Sequence, residues 1–149
     1  VGPRQTGQYG MVVPNFIKAA LQNQPIPIHG DGNQSRCFGH VSDIVEGLAK
    51  AIETPECFGQ VMNLGNPEEV SIKELAERVI AATGSKSKID YIPYEVAYGA
   101  GFEDMQRRVP DIEKAKRLIG FQPTRTLDNI ISDVVREFRD MLKTDSAGA

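Results

Sequence analysis

The stretch that decides the fold spans residues 25–38, with the sequence PIPIHGDGNQSRCF. Its two prolines confine the first part to an edge or irregular strand, because proline cannot donate a hydrogen bond to a neighbouring strand. The glycines and polar residues at 30–33 predict a turn. A second strand is expected over residues 35–41, so the stretch indicates two short strands joined by a turn.

Apolar residues recur at helical spacing on both sides of this stretch. The pattern predicts helices over about 13–22, 43–54, 72–83, 112–119 and 127–143. Ser42 or Asp43 is expected to cap the second helix, and Ser71-Ile72-Lys73-Glu74 predicts a capping box for the third. Gly84 and Gly120 are typical of helix ends in the left-handed conformation.

Two further strands complete the predicted architecture. Residues 60–65, QVMNLG, are apolar and bounded by glycine, as in a buried strand of an α/β sheet. Residues 88–92 alternate as a strand does, whereas residues 93–106 have no clean period and predict a long loop of the kind that is often functional. The fold class is therefore α/β or α+β, with about five helices and short strands.

The composition is that of an ordinary globular protein, with 40% apolar and 25% charged residues among 149. A chain of this length buries roughly 68–70% of the surface that its unfolded form exposes, which is enough for one self-sufficient core. The formal net charge is −3 and no run is rich in Lys and Arg, which argues against nucleic acid and membrane surfaces as partners. No stretch is long and apolar enough to span a bilayer and no secretion signal is recognisable, so we expect a cytoplasmic protein.

The cysteines and the two ends of the chain add few signals. Cys37 and Cys57 lie in different segments, 20 positions apart, and we expect buried, inert thiols, no disulfide framework and no metal site. The opening residues 1–3 precede no element, which indicates a chain that begins partway through a longer sequence. Residues 144–149 are predicted to form a flexible tail after a domain at residues 1–143.

Three arginines are candidate anion-binding residues. Arg36 follows the turn and stands at a strand start, where its guanidinium would reach an anion held by the backbone N–H groups of the turn. The alternative is a solvated arginine. Arg107 and Arg108 are adjacent before a predicted helix, and they either clamp a diphosphate or belong to the charged surface.

No catalytic residue is recognisable from its pattern. Neither His29 nor His40 has a carboxylate or another histidine at a sequence spacing typical of a catalytic or metal site. We interpret them as histidines that pack in the protein or lie at the edge of a substrate site. The pair Gly30-x-Gly32 lacks the third glycine of a dinucleotide fingerprint and precedes a strand, so it does not predict NAD binding. The sequence contains no nucleophile elbow, Walker glycine run or His-Glu-x-x-His motif.

Six segments in a fixed order carry a resemblance to a known family. They are VGPRQ at 1–5, VVPNFI at 12–17, IHGDGNQSRCF at 28–38, HVSD at 40–43, NLGN at 63–66 and RRVPDIEKA at 107–115. Together they resemble the C-terminal half of the extended short-chain dehydrogenase/reductase family, in particular its NAD-dependent nucleotide-sugar epimerases, dehydratases and decarboxylases. The implied fold is the substrate-binding part of a Rossmann-type enzyme, with the N-terminal NAD-binding half missing from this chain.

The resemblance implies a cradle for a UDP- or dTDP-sugar. In the family an extended segment and a helix start line the base, while arginines from two loops contact the phosphates or ribose. The residues at these positions are Pro27, Ile28 and His29 in the extended segment, Val13 and Phe16 at the helix start, Arg36 after the turn, and Arg107 or Arg108 before the short helix.

Other parts of the family pattern are absent. Many relatives carry Arg-x-Gly-Asp before the short helix, whereas this chain has GFED at 101–104. The family's Gly-x-x-Gly-x-x-Gly fingerprint is not present, and no tyrosine is followed four residues later by lysine. We therefore expect no catalytic residue in this chain and no tight binding of NAD, the cofactor of the family, to this chain alone.

Two interpretations follow. In the first, the chain is the nucleotide-sugar-binding part of an NAD-dependent enzyme, inactive by itself, with the reaction, the sugar and the nucleotide left open. In the second, it is a truncated stand-alone binding or assembly module that self-associates. Under either one we expect a homo-oligomer or a separate NAD-binding domain as partner, because residues 61–64 and the stripe of the 72–83 helix would otherwise expose a strand edge and an apolar patch.

Overall fold

The structure, a computed structural model, describes residues 1–5, 11–99, 101 and 104–147, with the side chains of 144–147 left aside. The described residues form six α-helices, four short strands and one 3₁₀ turn. In chain order these are α1 Val12–Leu21, β1 Ile26–His29, β2 Ser35–Cys37, α2 Val41–Glu53, the 3₁₀ turn Pro55–Cys57, β3 Glu69–Ser71, α3 Ile72–Thr83, β4 Ile89–Ile92, α4 Tyr94–Tyr98, α5 Glu113–Ile119 and α6 Leu127–Ala147. The predicted mixture of helices and short strands is confirmed, with six described helices where about five were expected.

The strands form two small sheets on either side of the turn that follows β1. β1 pairs in parallel with β4, with Ile26 opposite Ile89, and β2 pairs antiparallel with β3, with Arg36 opposite Val70. The side-chain amide of Gln34 donates to the carbonyl oxygen of His29 at 2.8 Å, which ties the turn to the end of β1. The end of β1 and the start of β2 are thereby held next to each other.

The hydrophobic core lies between α1, α3, α6 and β1. Its fully buried members include Ile17, Ile28, Leu75, Ile130 and Ile131. Each comes from the apolar side of its element, and burial of one such side chain contributes about 1.5–3 kcal/mol to folding. The predicted stripes of α1, α3 and α6 are therefore core residues, and the stripe of α3 is not the exposed patch that the sequence led us to expect.

The two predicted glycine caps are confirmed, and the predicted capping box is present in its serine half, whereas the carboxylate of Glu74 accepts from Arg78. The hydroxyl of Ser71 accepts from the backbone N–H of Glu74 at 3.0 Å. Gly84 and Gly120 both have positive φ, at 67° and 62°, a conformation that glycine adopts without a steric cost.

The predicted cap of α2 is wrong. This helix begins at Val41, so Ser42 and Asp43 lie inside its first turn, and Nδ1 of His40 accepts from the N–H of Ser42 at 3.1 Å. The buried carboxylate of Asp43 instead accepts from the hydroxyl of Thr124 at 2.9 Å and from the N–H of Arg125 at 3.1 Å. It therefore connects α2 to the segment that leads into α6.

Three other predicted boundaries differ from the structure. Residues 60–65 form no strand, and Val61 is 85% exposed, since none of the strands in the described part of the chain pairs with them. β2 ends at Cys37 and does not extend to residue 41. The predicted loop at 93–106 contains the five-residue helix α4.

At the C-terminus α6 continues to Ala147, past residue 143 where the sequence pattern places the start of a tail. The flexibility of residues 144–149 stays a prediction, and residues 148–149 lie outside the described part of the chain. No helix in the described ranges has the length and hydropathy needed to cross a membrane.

One apolar surface is left uncovered. We call it the α2 face, and it comprises Val45, Leu48 and Ile52 of α2 together with Phe58 and Val61, all at least half exposed. The three α2 residues recur at helical spacing, as apolar residues that face a core do. Leu48 and Ile52, with Phe58 and Val61, border a shallow apolar groove of about 670 Å³.

Candidate functional site

A cleft of about 500 Å³ lies beside α1, β1 and β2, with α4 and residues 104–108 along its other side. Its walls combine apolar, aromatic and charged side chains, as in pockets that bind small molecules. The lining residues are Val1, Met11, Val12, Asn15, Phe16, Pro27, Ile28, His29, Gln34, Arg36, Cys37, Phe38, Ile72, Tyr94, Tyr98, Asp104 and Arg108.

The structure brings six of the eight residues singled out from the sequence to this cleft, namely Phe16, Pro27, Ile28, His29, Arg36 and Arg108. The other two lie elsewhere. Val13 is 1% exposed and belongs to the core, while its neighbour Val12 lines the cleft. Arg107 is paired with Glu69 at 3.0 Å, and its side chain is 69% exposed.

Arg36 is held at the cleft by three acceptors. Its Nη1 donates to the carbonyl oxygens of Ser35 and Met105, at 2.7 and 2.6 Å, and its Nη2 donates to the carboxylate of Asp104 at 2.6 Å. The side chain is only 16% exposed. Arg36 is therefore not the freely solvated arginine of the alternative interpretation.

Asp104 connects Arg36 to α4. Its second carboxylate oxygen accepts from the hydroxyl of Tyr94 at 3.0 Å. Burial, followed by the hydrogen bond to Asp104, raises the pKa of Tyr94 to about 12, so the hydroxyl stays protonated and remains a donor at neutral pH. The chain of contacts from Tyr94 through Asp104 to Arg36 fixes one wall of the cleft.

His29 and Tyr98 form an aromatic edge at the same cleft. Nδ1 of His29 lies 2.8 Å from the hydroxyl of Tyr98, and the two rings meet edge to face with centroids 5.0 Å apart. Such an edge offers both ring surface and a polar tip to a flat ligand. His40, by contrast, lies outside the cleft lining, where it caps α2 and approaches Asp133 at 3.3 Å.

Sequence reasoning missed Tyr94, Tyr98 and Asp104. Two tyrosines four residues apart share a helix face, and Pro93 before them is compatible with a helix start. These signals are present in the sequence, but a five-residue helix is too short for a periodic pattern. Phe102 and Glu103 of the sequence GFED lie outside the described residues.

Three backbone N–H groups of the turn after β1 already donate hydrogen bonds within the protein. The N–H groups of Gly30, Asn33 and Ser35 donate to Ile92, Asp31 and Gln106, respectively. The sequence-based expectation that this turn holds an anion with its backbone therefore does not apply to these three donors. These three N–H groups are therefore not available to an anion at the cleft.

The glycines of this turn do not fit a dinucleotide cradle. A Cβ built on Gly30 would come within 2.7 Å of Cζ of Tyr94, so the glycine accommodates the tyrosine ring. In the described residues the turn leads from β1 to β2 and not into a helix, whereas a dinucleotide fingerprint needs a helix N-terminus behind it. The turn therefore does not have the arrangement of a dinucleotide fingerprint.

The thiols and carboxylates give no sign of a metal centre. Cys37 is half-buried at the cleft, and burial raises the pKa of its thiol. Cys57 is buried under the 3₁₀ turn. Within the described ranges no three side chains of His, Cys, Asp or Glu are grouped so as to hold a metal ion.

The fold is similar to that of solved sugar-nucleotide enzymes. The UDP-glucose 4-epimerase of Thermotoga maritima, solved with UDP-glucose, superposes with a TM-score of 0.84 at 28% identity, over 95% of this chain and 44% of that one. The UDP-glucuronic acid 4-epimerase of Bacillus cereus, solved with UDP-glucuronic acid and NAD, gives a TM-score of 0.83 at 26% identity, over 95% and 43%. The fold is thus that of the C-terminal part of an extended short-chain dehydrogenase/reductase, as the sequence predicts.

Sequence comparison places the chain within one family. A family model described as GDP-mannose 4,6 dehydratase matches residues 1–134, and the chain belongs to that family. It is 38% identical over 141 residues to UDP-N-acetyl-alpha-D-glucosaminuronate decarboxylase of Bacillus cytotoxicus, covering 94% of this chain and 44% of that protein. It is 39% identical over 144 residues to UDP-glucuronic acid decarboxylase 4 of Arabidopsis thaliana, covering 97% and 31%. The chain therefore spans less than half the length of these relatives.

Proposed function

We propose that this chain is the nucleotide-sugar-binding part of an NAD-dependent enzyme that epimerises, dehydrates or decarboxylates a UDP- or dTDP-sugar. By itself it binds the sugar nucleotide and catalyses nothing. NAD supplies the hydride transfer in the family, and the residues of this chain contribute recognition of the nucleotide and not the reaction.

One arrangement carries this proposal: two guanidinium groups and an aromatic edge line the same cleft. Arg36 is a largely buried, preorganised cation, and Arg108 has no ion pair within the described part of the chain. Arginine suits phosphate because its planar fork of N–H groups matches two phosphate oxygens. The edge formed by His29 and Tyr98 supplies a surface for the base.

Equilibrium binding to the whole chain tests the proposal. UDP-glucuronic acid, dTDP-glucose, UDP and NAD are added separately, and the thermal midpoint and calorimetric heat are measured. A sugar nucleotide is expected to bind and to raise the midpoint by mass action, whereas NAD is not. Glucuronic acid without a nucleotide is the matched control. A chain that binds none of the nucleotides contradicts the proposal.

A second candidate function, a binding module that self-associates or docks on a separate NAD-binding domain, rests on the α2 face. Apolar patches of this kind on soluble proteins mark interaction sites. Beside the face, residues 60–64 have the apolar composition of a strand but lie outside the described strands. Association of the chain with itself at low concentration favours this candidate, and binding of sugar nucleotides by a monomer favours the first.

A further inference from the structure

We propose that Asp104 is a positioning residue which, with Tyr94 behind it, holds the Arg36 guanidinium ready to bind one phosphate group through two N–H donors. This inference rests on the proposed function and deepens it. It names the residues that prepare the cleft for a nucleoside diphosphate.

The first step is a count of the donors of Arg36. A guanidinium has five N–H donors. Nη1 uses two on the carbonyl oxygens of Ser35 and Met105, and Nη2 uses one on Asp104. The Nε–H and the second Nη2–H have no acceptor within the described residues. These two donors lie on adjacent nitrogens, and a pair of adjacent donors matches two oxygens of one phosphate.

The second step concerns what keeps the guanidinium in place. Asp104 and Met105 lie nearly 70 positions after Arg36 in the sequence, with separations of 68 and 69 residues. Both contacts depend on the 104–106 segment staying beside β2. The N–H of Ser35 donates to the carbonyl oxygen of Gln106 at 2.8 Å and fixes this segment from the other side. Arg36 is therefore held before a ligand arrives, which lowers the entropy lost on binding.

The third step is the role of Tyr94. Its hydroxyl donates to Oδ2 of Asp104, while Oδ1 accepts from Arg36. Each carboxylate oxygen thus has its own donor, so the carboxylate is restrained from both sides. The ring of Tyr94 is seated against Gly30, which connects the restraint to the end of β1.

The fourth step is the charge balance of the cleft. Among the Lys, Arg, Asp and Glu side chains of the described lining residues, Arg36 and Asp104 form an ion pair and Arg108 is a further cation. A diphosphate therefore meets a net positive cleft even though a carboxylate is present. Because both oxygens of Asp104 already accept hydrogen bonds, this carboxylate acts as a support for Arg36.

Binding of UDP and of uridine by the whole chain separates this role from a general structural one, because uridine has the base and ribose but no phosphate. Asp104→Ala is expected to weaken UDP binding about five- to tenfold through lost preorganisation. Its affinity for uridine stays that of the parent chain. Tyr94→Phe is expected to weaken UDP binding about two- to threefold, since Asp104 keeps its contact with Arg36.

Two further variants sharpen the experiment. In an Arg36→Met background Asp104→Ala is expected to have no additional effect on UDP binding, because the two residues act as one unit. Asp104→Asn keeps an acceptor oxygen and is expected to recover part of the affinity lost in Asp104→Ala. Glu74→Ala is the matched control, since it removes the carboxylate partner of Arg78, at 2.7 Å, outside the cleft lining.

The outcomes are distinct. Tighter UDP binding by Asp104→Ala means that the carboxylate competes with phosphate, and it overturns the inference. The inference is also overturned if Asp104→Ala weakens the binding of UDP and of uridine equally, or if it leaves the affinity for UDP unchanged. It is overturned as well if Asp104→Ala still weakens UDP binding in the Arg36→Met background. If the parent chain binds no sugar nucleotide and no UDP, the proposed function fails and the inference falls with it. If the parent chain binds UDP and the variants do not behave as expected, the proposed function stands and only the role of Asp104 is wrong.

Discussion

The ring of Tyr94 occupies the space that a side chain at Gly30 would need. A Cβ atom built on Gly30 would lie within 2.7 Å of Cζ and 3.0 Å of the hydroxyl oxygen of Tyr94. Gly30 also has a φ of 79°. The end of β1 and the start of α4 are thus fitted to each other at a position that only glycine satisfies.

Gly30→Ala is expected to destabilise the chain by about 1–3 kcal/mol, from the strained φ together with displacement of Tyr94. Denaturant unfolding measures the loss. Gly59→Ala is the matched control, because Gly59 has a φ of 70° and open space around its Cβ position. Equal losses in the two variants would show that the tyrosine contact contributes nothing.

Arg36→Ala is expected to weaken UDP-sugar binding by about 1.5–3 kcal/mol through loss of a charge-assisted contact. Calorimetry on the parent and the variant measures the difference. The unfolding midpoint is followed in parallel, because Asp104 loses its partner. Equal affinities in the two proteins would remove Arg36 from the site.

The two adjacent arginines are expected to behave differently. Arg108→Ala is expected to weaken UDP binding by about 0.5–1.5 kcal/mol, because Arg108 lines the cleft. Arg107→Ala removes an exposed ion pair with Glu69 and is expected to change UDP binding by less than about 0.5 kcal/mol. Each variant removes one positive charge, and the two positions are adjacent. Calorimetry of both variants therefore distinguishes the effect of position on UDP binding from the effect of net charge. The reverse order would assign the phosphate contact to Arg107.

The alkaline stability of the chain is expected to depend on Tyr94. Its pKa is raised from 10.0 to about 12 in the folded chain, first by burial and then by Asp104. The contribution of the protonated hydroxyl is complete below pH 10, and it is lost as the pH rises from 10 towards 12. The free energy of unfolding of Tyr94→Phe is therefore expected to fall less steeply over this window. Tyr91→Phe, at a nearly half-exposed tyrosine, serves as control, and identical slopes for Tyr94→Phe and the parent would contradict the prediction.

The α2 face is expected to make the chain self-associate at tens of micromolar, and static light scattering measures this. Ile52→Glu with Val61→Glu is expected to restore the monomer without loss of stability, because these side chains are 74% and 85% exposed. Val96→Glu is the matched control, since Val96 is 75% exposed on α4 and outside the face. A monomeric parent chain would contradict the prediction.

Local signals in the sequence were sufficient at several helix ends where the deciding contacts are local, but not at the start of α2, where His40 takes the place of the predicted cap. Ser71 with Glu74, and the glycines after α3 and α5, specify helix ends through atoms a few residues apart. The strand predicted at 60–65 failed because its composition suits a sheet, while a strand also requires a neighbour. The composition of a segment carries no information on whether that neighbour is present.

The site was predictable only in part for a related reason. Arg36 and the residues of β1 stand next to a recognisable turn, and the family pattern points to them. Asp104 and Tyr94 reach Arg36 and Gly30 across more than 60 positions of sequence. No periodicity connects such residues, so their partnership emerges only when the chain is folded.

The uncovered face of α2 has a consequence for how mutations in this chain are to be interpreted. Val45, Leu48 and Ile52 are hydrophobic positions whose replacement by polar residues removes little contact within the chain. A saturation-mutagenesis scan of the chain alone is therefore expected to score them as tolerant, while Leu75 and Ile131, equally apolar in type, score as intolerant. Some positions are apolar in the sequence and still tolerate polar residues in such a scan. The stability of the chain alone does not explain why these positions are apolar, and together they mark a surface with another role.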